Sequence, residues 1–138
     1  MNNTIDLIKL HEGLKLKPYR CTAGKVTIGY GRNIEDNGIT AAEAEYLLLA
    51  DIQNVRRELI DRLPWATGLD VVRWSVLVDM CFNLGWPRLS GFKKTLAYIK
   101  SGEYNEAAME MLDSVWANQV GKRAIRLAEM MRTGEWPE

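Results

Sequence analysis

The stretch that decides the fold is His11–Asn33, HEGLKLKPYRCTAGKVTIGYGRN. Glu12 stands directly before Gly13, and a glycine at that point is where a helix ends in a left-handed residue. Upstream, Asn3 or Thr4 can cap that helix, which carries Ile5, Leu7, Ile8 and Leu10. Downstream the pattern changes: LKLKPYR alternates, TAG can turn, and KVTIGYG is β-branched and aromatic, so this part reads as a hairpin. Glu12 is therefore expected at a helix C-terminus, and a small sheet follows it.

Further along, Thr40-x-x-Glu43 forms a capping box that opens a long helix running toward Pro64. Its apolar positions, Leu47, Leu48, Ile52, Val55 and Leu59, recur in steps that turn one stripe toward a core. Asp70 can cap VVRWSVLVDMCFNL, which is apolar nearly all round and ends at Gly85, as expected of a central core helix. Three shorter helical segments follow, GFKKTLAYIK, NEAAMEMLDSV and GKRAIRLAEMMR, punctuated by Gly91, Gly102, Gly121 and Gly134. With no repeat and no separating linker, the expectation is one α+β domain over 1–138. A small β-hairpin lobe over about 14–38 is joined by the long helix to a larger helical lobe over about 60–138, which also takes the N-terminal helix.

A chain of 138 residues is long enough for one real core, and 47% apolar with 26% charged residues is an ordinary globular composition. Lys plus Arg and Asp plus Glu number 18 each, which argues against a main grip on nucleic acid or an anionic lipid surface. Neither an export signal nor a membrane span is evident. One His and two scattered Cys supply no structural zinc site, no cofactor is implied, and Cys21 and Cys81 are expected as free thiols.

Other patterns carry less. Gly29-x-Gly31 follows a strand but lacks the third glycine and the capped helix of a dinucleotide loop, so hairpin glycines are the better reading. Lys122, Arg123 and Arg126 are expected on a solvated helical face, and His11 in a surface or supporting role. The tryptophans can stack on sugars, but at their spacings most are packing residues. Glu12 stands apart because the negative end of a helix disfavours a charged carboxylate, and a general acid must keep its proton.

The quoted segment resembles the catalytic stretch of the phage-type lysozymes, glycoside hydrolase family 24. There the pattern is Glu, eight residues, Asp or sometimes Cys, five residues, Thr; here Glu12, Cys21 and Thr27 occupy those places. MCFNLG, GFKKTL, EAAMEML, WANQVGKRAIR and RTGEW resemble successive stretches of the same family in the same order, with a shortened region between Arg32 and Gly38.

The resemblance implies a lysozyme-like fold and an endolysin of phage or prophage origin. Its reaction would be hydrolysis of the β-1,4 bond between N-acetylmuramic acid and N-acetylglucosamine in peptidoglycan. Glu12 would be the general acid, and Thr27 would hold a water by donating and accepting hydrogen bonds. Cys21 would orient that water or act as a partly ionised nucleophile, against a thiol that is mostly neutral and that a charged Glu12 would push further up. Phe82, Thr95, Gln119 and Arg123 match substrate-binding positions, with Arg123 able to pair with Glu12. By the same resemblance the protein is a monomer held in the host cytoplasm. A separate holin-type protein would release it to act on the wall in the periplasm. Two alternatives stay open: a lytic transglycosylase using Glu12 alone, and a lysozyme-like wall-binding module without turnover.

Overall fold

The structure, a computed structural model, describes residues 3–138. Its first helix, α1 (Thr4–Glu12), starts at Asn3, whose side chain accepts the Asp6 amide, and stops at Gly13, where φ is +70°. Three strands follow, β1 (Lys15–Arg20), β2 (Val26–Gly29) and β3 (Arg32–Asn33). They form an antiparallel sheet in the order β1-β2-β3, so the expected hairpin gains a third strand. Tyr19 pairs with Thr27, Thr27 with Asn33, and Ile28 with Arg32. The β1–β2 register shifts between Lys15 and Tyr19, the stretch that holds Pro18, which cannot donate to a ladder.

A short helix, α2 (Ile34–Asn37), then occupies the region between Arg32 and Gly38 that the resemblance marks as shortened. Asn33 caps it by accepting the Asp36 amide at 3.0 Å, and four residues are too few for periodicity to reveal. The capping box that opens α3 (Ala41–Arg62) is reciprocal: Thr40 accepts the Glu43 amide and Glu43 accepts the Thr40 amide. Of the stripe expected to face a core, only Leu59 is buried, and Val55 packs beside that core, while Leu47 and Leu48 stay exposed.

After a 3-10 turn at Pro64–Gly68 come α4 (Val71–Leu84), α5 (Trp86–Leu89), α6 (Lys93–Lys100), α7 (Tyr104–Leu112), α8 (Val115–Val120) and α9 (Lys122–Thr133). Asp70 and Gly85 bound α4 as the sequence indicates. The expected NEAAMEMLDSV helix is instead divided: α7 ends at Leu112, and Ser114 accepts the Ala117 amide to start α8. A serine hydroxyl competes well for a free amide, and so favours a new start over continuation.

The chain forms two compact units, the first running to Leu47 and the second spanning Leu48–Glu138, with the boundary inside α3. In the second unit α4 supplies Val72, Val76, Leu77, Met80, Cys81 and Leu84 to a core on which α9 also packs. Arg73 fixes the end of α9: its Nε donates to the Met131 carbonyl at 2.7 Å and its Nη2 to that of Arg132 at 3.0 Å. The same guanidinium lies 3.7 Å from the Tyr104 ring centre, and a side chain at Gly134 would meet it at 2.8 Å.

Candidate active site

The three residues expected to be catalytic all lie in the first unit, and local backbone rules position them. Cys21 precedes a three-residue loop. Its amide donates to the Lys25 carbonyl at 3.0 Å, the Gly24 amide donates back to the Cys21 carbonyl at 2.8 Å, and Gly24 takes the left-handed conformation such a loop demands. Side chains alternate along a strand, so the pairs Cys21–Lys25, Tyr19–Thr27 and Thr27–Asn33 put Cys21, Thr27 and Asn33 on one face of the sheet. Ile28 and Arg32 belong to the other face, where they line a groove of about 310 Å³ with Tyr30 and Tyr46.

The environment of Cys21 reverses the expectation drawn from sequence. Backbone amides of Lys25 and then Ala23 point at the sulfur and hold its pKa below the ordinary thiol value, partial burial opposes them, and the Thr27 hydroxyl adds to the lowering. No local pattern announces this, because the donors are main-chain groups presented by the turn. Thr27 is buried, with 3% of its surface exposed, and its hydroxyl donates to the Lys25 carbonyl at 2.9 Å. A hydroxyl has one proton, so Thr27 serves the sulfur as a donor only by turning away from Lys25.

Glu12 is exposed at the end of α1, and its carboxylate reaches the turn between β2 and β3. A Cβ at Gly31 would lie 2.6 Å from Glu12 Oε2, and Gly31 has φ of +79°, so this position requires glycine for both space and conformation. Lys9, one turn earlier in α1, lies over the Tyr30 ring at 5.3 Å and ties the helix to the same turn. Of the two glycines of Gly29-x-Gly31, it is Gly31 that makes room for an acid.

The hairpin is braced from the opposite edge. Lys25 pairs with Asp36 at 3.2 Å and Glu35 at 3.6 Å, while Glu35 also accepts the Val26 amide. Arg32 binds both carboxylate oxygens of Glu43, at 2.9 and 2.6 Å, and this fork with the Thr40 amide pushes the Glu43 pKa down to about 2.

The residues expected to bind substrate lie in the second unit; Phe82, Arg123 and Thr95 divide between two grooves, and Gln119 lines neither. Phe82, 43% exposed, and Arg123 share one of about 360 Å³ with Asp79 and Trp136. The carboxylate that Arg123 holds within the second unit is that of Asp79: both Nε and Nη2 lie 2.8 Å from Asp79 Oδ1. Thr95 lines another groove, of about 570 Å³, together with Glu110 and Arg88, and Arg88 donates to the Gln119 side chain at 3.2 Å. Asp79 and Arg88 were missed from sequence because their partners are distant in the chain. Among the described residues no cluster of His, Cys, Asp and Glu could hold a metal, and no helix is long and apolar enough to cross a membrane.

The family model for phage lysozyme matches residues 9–132. Among similar proteins, "Probable T4-type lysozyme 2" of Dictyostelium discoideum is 29% identical, over 96% of this chain and 95% of its own. That alignment runs over 162 positions, more than the 138 residues here, so this chain lacks segments present in the amoebal protein. An "Endolysin" of Acyrthosiphon pisum secondary endosymbiont phage 1 is 34% identical over 85% of this chain and 80% of its own. The "Pre-baseplate central spike protein Gp5" of Enterobacteria phage T4 is 26% identical over 94% of this chain but only 27% of its own. Nine helices and a small antiparallel sheet among the described residues, with these likenesses, define a lysozyme-type glycoside hydrolase that degrades cell wall. The chain belongs to the phage lysozyme family.

Proposed function

We propose that the chain is an endolysin muramidase that hydrolyses the β-1,4 bond between N-acetylmuramic acid and N-acetylglucosamine in bacterial peptidoglycan. Glu12 gives its proton to the departing glycosidic oxygen while positive charge builds on the anomeric carbon. Thr27 holds the attacking water. Cys21, through its thiolate fraction, orients that water and takes its proton as the new carbon–oxygen bond forms; the proton lost by Glu12 stays on the leaving sugar hydroxyl.

The observation that carries this reading is the Cys21 sulfur, set against the Lys25 and Ala23 amides on the sheet face that also bears Thr27. Such a thiol does part of the work of a carboxylate, because amides favour its charged form. Phe82, Thr95, Gln119 and Arg123 hold the glycan, and both units act as one catalytic domain. The protein works as a monomer that a holin-type protein releases from the host cytoplasm to the wall.

Product masses after wall digestion test the reading. Hydrolysis adds one water and leaves a reducing end, and Glu12→Gln lowers its rate by orders of magnitude. A 1,6-anhydro product without added water would establish a transglycosylase instead, and glycan binding without loss of turbidity would establish a binding module. Cys21→Asp should preserve or raise activity, since it restores a stronger acceptor at the same place.

A further inference from the structure

Both arms of the loop that carries Cys21 are tied to α2 by one side chain. Glu35 Oε1 accepts the Val26 amide at 3.2 Å and lies 3.7 Å from Arg20 Nη1, while its Oε2 lies 3.6 Å from Lys25 Nζ. Arg20 directly precedes Cys21, Lys25 closes the loop, and Val26 directly precedes Thr27, so the carboxylate grips the chain on both sides of the proposed pair. Arg20 carries that grip to the tip of the loop, its Nη1 donating to the Gly24 carbonyl at 2.8 Å. Asp36 adds a second contact to Lys25, at 3.2 Å.

The helix that bears Glu35 is itself fixed at both ends. Asn33 pairs with Thr27 in the sheet and bonds Asp36 through both of its side-chain polar atoms, and Arg32 donates to the Gly38 carbonyl at 3.1 Å while it holds Glu43. Ion pairs as exposed as those of Glu35 add little stability, because water competes for both partners. Their use is geometric. The Lys25 and Ala23 amides meet the Cys21 sulfur only while the loop keeps its shape, and the Lys25 carbonyl is also what receives the Thr27 hydroxyl. Two short strands alone do not secure such a shape in water.

We propose that Glu35 is the positioning residue of this site: by gripping Arg20, Lys25 and the Val26 amide it holds the loop amides on the Cys21 sulfur, with Thr27 beside them. The consequence for the attacking water rests on the muramidase reading, but the hold on the thiol does not. The sign of the effect separates positioning from charge. The charged groups facing the loop are Arg20 on β1, Lys25 at its end and Glu35 and Asp36 on α2, while Glu12 on α1 faces the β2–β3 turn. Removing the Glu35 charge leaves Arg20 and Lys25 less neutralised, and their field favours the thiolate, whereas loss of the amides disfavours it.

The test is the pH midpoint of Cys21 alkylation by iodoacetamide in the folded parent, Glu35→Ala and Glu35→Gln, with amide resonances of Thr27 and Asn33 reporting the hairpin. Positioning predicts a raised midpoint in both variants and a rate at neutral pH about threefold or more below that of the parent in Glu35→Ala. The rise should be smaller in Glu35→Gln, which keeps an acceptor for Val26. Should Glu35→Ala lose the hairpin resonances, Glu35→Gln decides alone. A midpoint at or below that of the parent, in a variant that keeps those resonances, overturns the proposal. Loss of the resonances in both variants also overturns it, because Glu35 would then hold the fold rather than the loop. Wall lysis gives a second readout: kcat should fall with KM unchanged, and a fall in kcat with an unmoved thiol midpoint again overturns the assignment. A parent that lyses no wall yet shows the midpoint rise on substitution defeats the muramidase reading and leaves the hold on the thiol supported.

Discussion

Up to Leu47, the buried side chain among the described residues is that of Thr27; beyond it, burial belongs to aliphatic side chains, methionines, Cys81 and a tryptophan, with Thr95 as the buried polar residue. The first unit is held by caps, a turn and ion pairs, the second by an apolar core. Backbone amides aimed at a sulfur and an acid lying on a glycine turn need exposed polar surroundings, which a closed core excludes. The arrangement therefore separates the proposed chemistry from the source of stability. A small sheet without an apolar face of its own is marginal alone, while each aliphatic side chain buried in the second unit contributes about 1.5–3 kcal/mol.

That contrast predicts opposite phenotypes. Glu12→Gln should lower wall lysis by about 10²–10⁴-fold, because it removes a transferable proton while preserving shape. Its denaturation midpoint should remain that of the parent, since the side chain is exposed at the end of α1. Turbidity loss and urea unfolding measure the two separately, and a variant that lyses normally would break the comparison at its first unit. Leu77→Ala should do the reverse. Leu77 is fully buried on α4, so truncation leaves a cavity costing about 2–5 kcal/mol, read as a lower urea midpoint, while specific activity of the folded fraction stays close to that of the parent.

How much of this was legible in sequence follows the same division between local and distant causes. Asn3, Gly13, Thr40 with Glu43, Asp70 and Gly85 each mark a helix end through bonds spanning three or four residues, and a reader of the sequence finds them. The extra strand and α2 escape because each is too short for a period to show, and Ser114 interrupts an apolar run that would otherwise continue. Glu12, Cys21 and Thr27 were legible as a spaced motif, but the lowering of the thiol pKa was not, since amides carry no side-chain signature. Arg73 and Arg123 bind groups far along the chain, the end of α9 and Asp79, and nothing local distinguishes them from other surface arginines.

The two cysteines allow the comparison to be made with one reagent. Cys21 is half-buried, with its pKa lowered by amides; Cys81 is 4% exposed on α4, with its pKa raised by burial and by the charge of Glu58. Alkylation by iodoacetamide in the folded protein should label Cys21 and spare Cys81, because the thiolate is the reacting form and access is required. The pH midpoint for Cys21 should lie below that of an unstructured peptide cysteine, near 8.5. Labelled peptides identified by mass give both results, and a midpoint at or above that of the peptide would remove the argument for a partly ionised thiol.

The smallest effect concerns acid. Glu43 has a folded pKa of about 2 against an ordinary 4.5, so the first unit gains stability from its charged form above pH 4.5 and loses it as pH falls from 4.5 toward 2. Asp70 gives the second unit a lowered carboxyl of its own, held by the Arg73 amide and side chain, but the core beneath α4 is indifferent to pH. Trp65, Trp74, Trp86, Trp116 and Trp136 all follow Leu47, so tryptophan emission reports the second unit, whereas amide resonances of Thr27 and Asn33 report the first. On acidification the hairpin resonances should be lost at higher pH than the emission changes. Arg32→Gln removes the fork on Glu43, which should flatten the dependence of the hairpin signals in that window and leave the emission curve unmoved. Coincident curves in the parent would mean that the units unfold as one. The polar frame of the hairpin would then draw its stability from the apolar core, and the separation of chemistry from stability would fail.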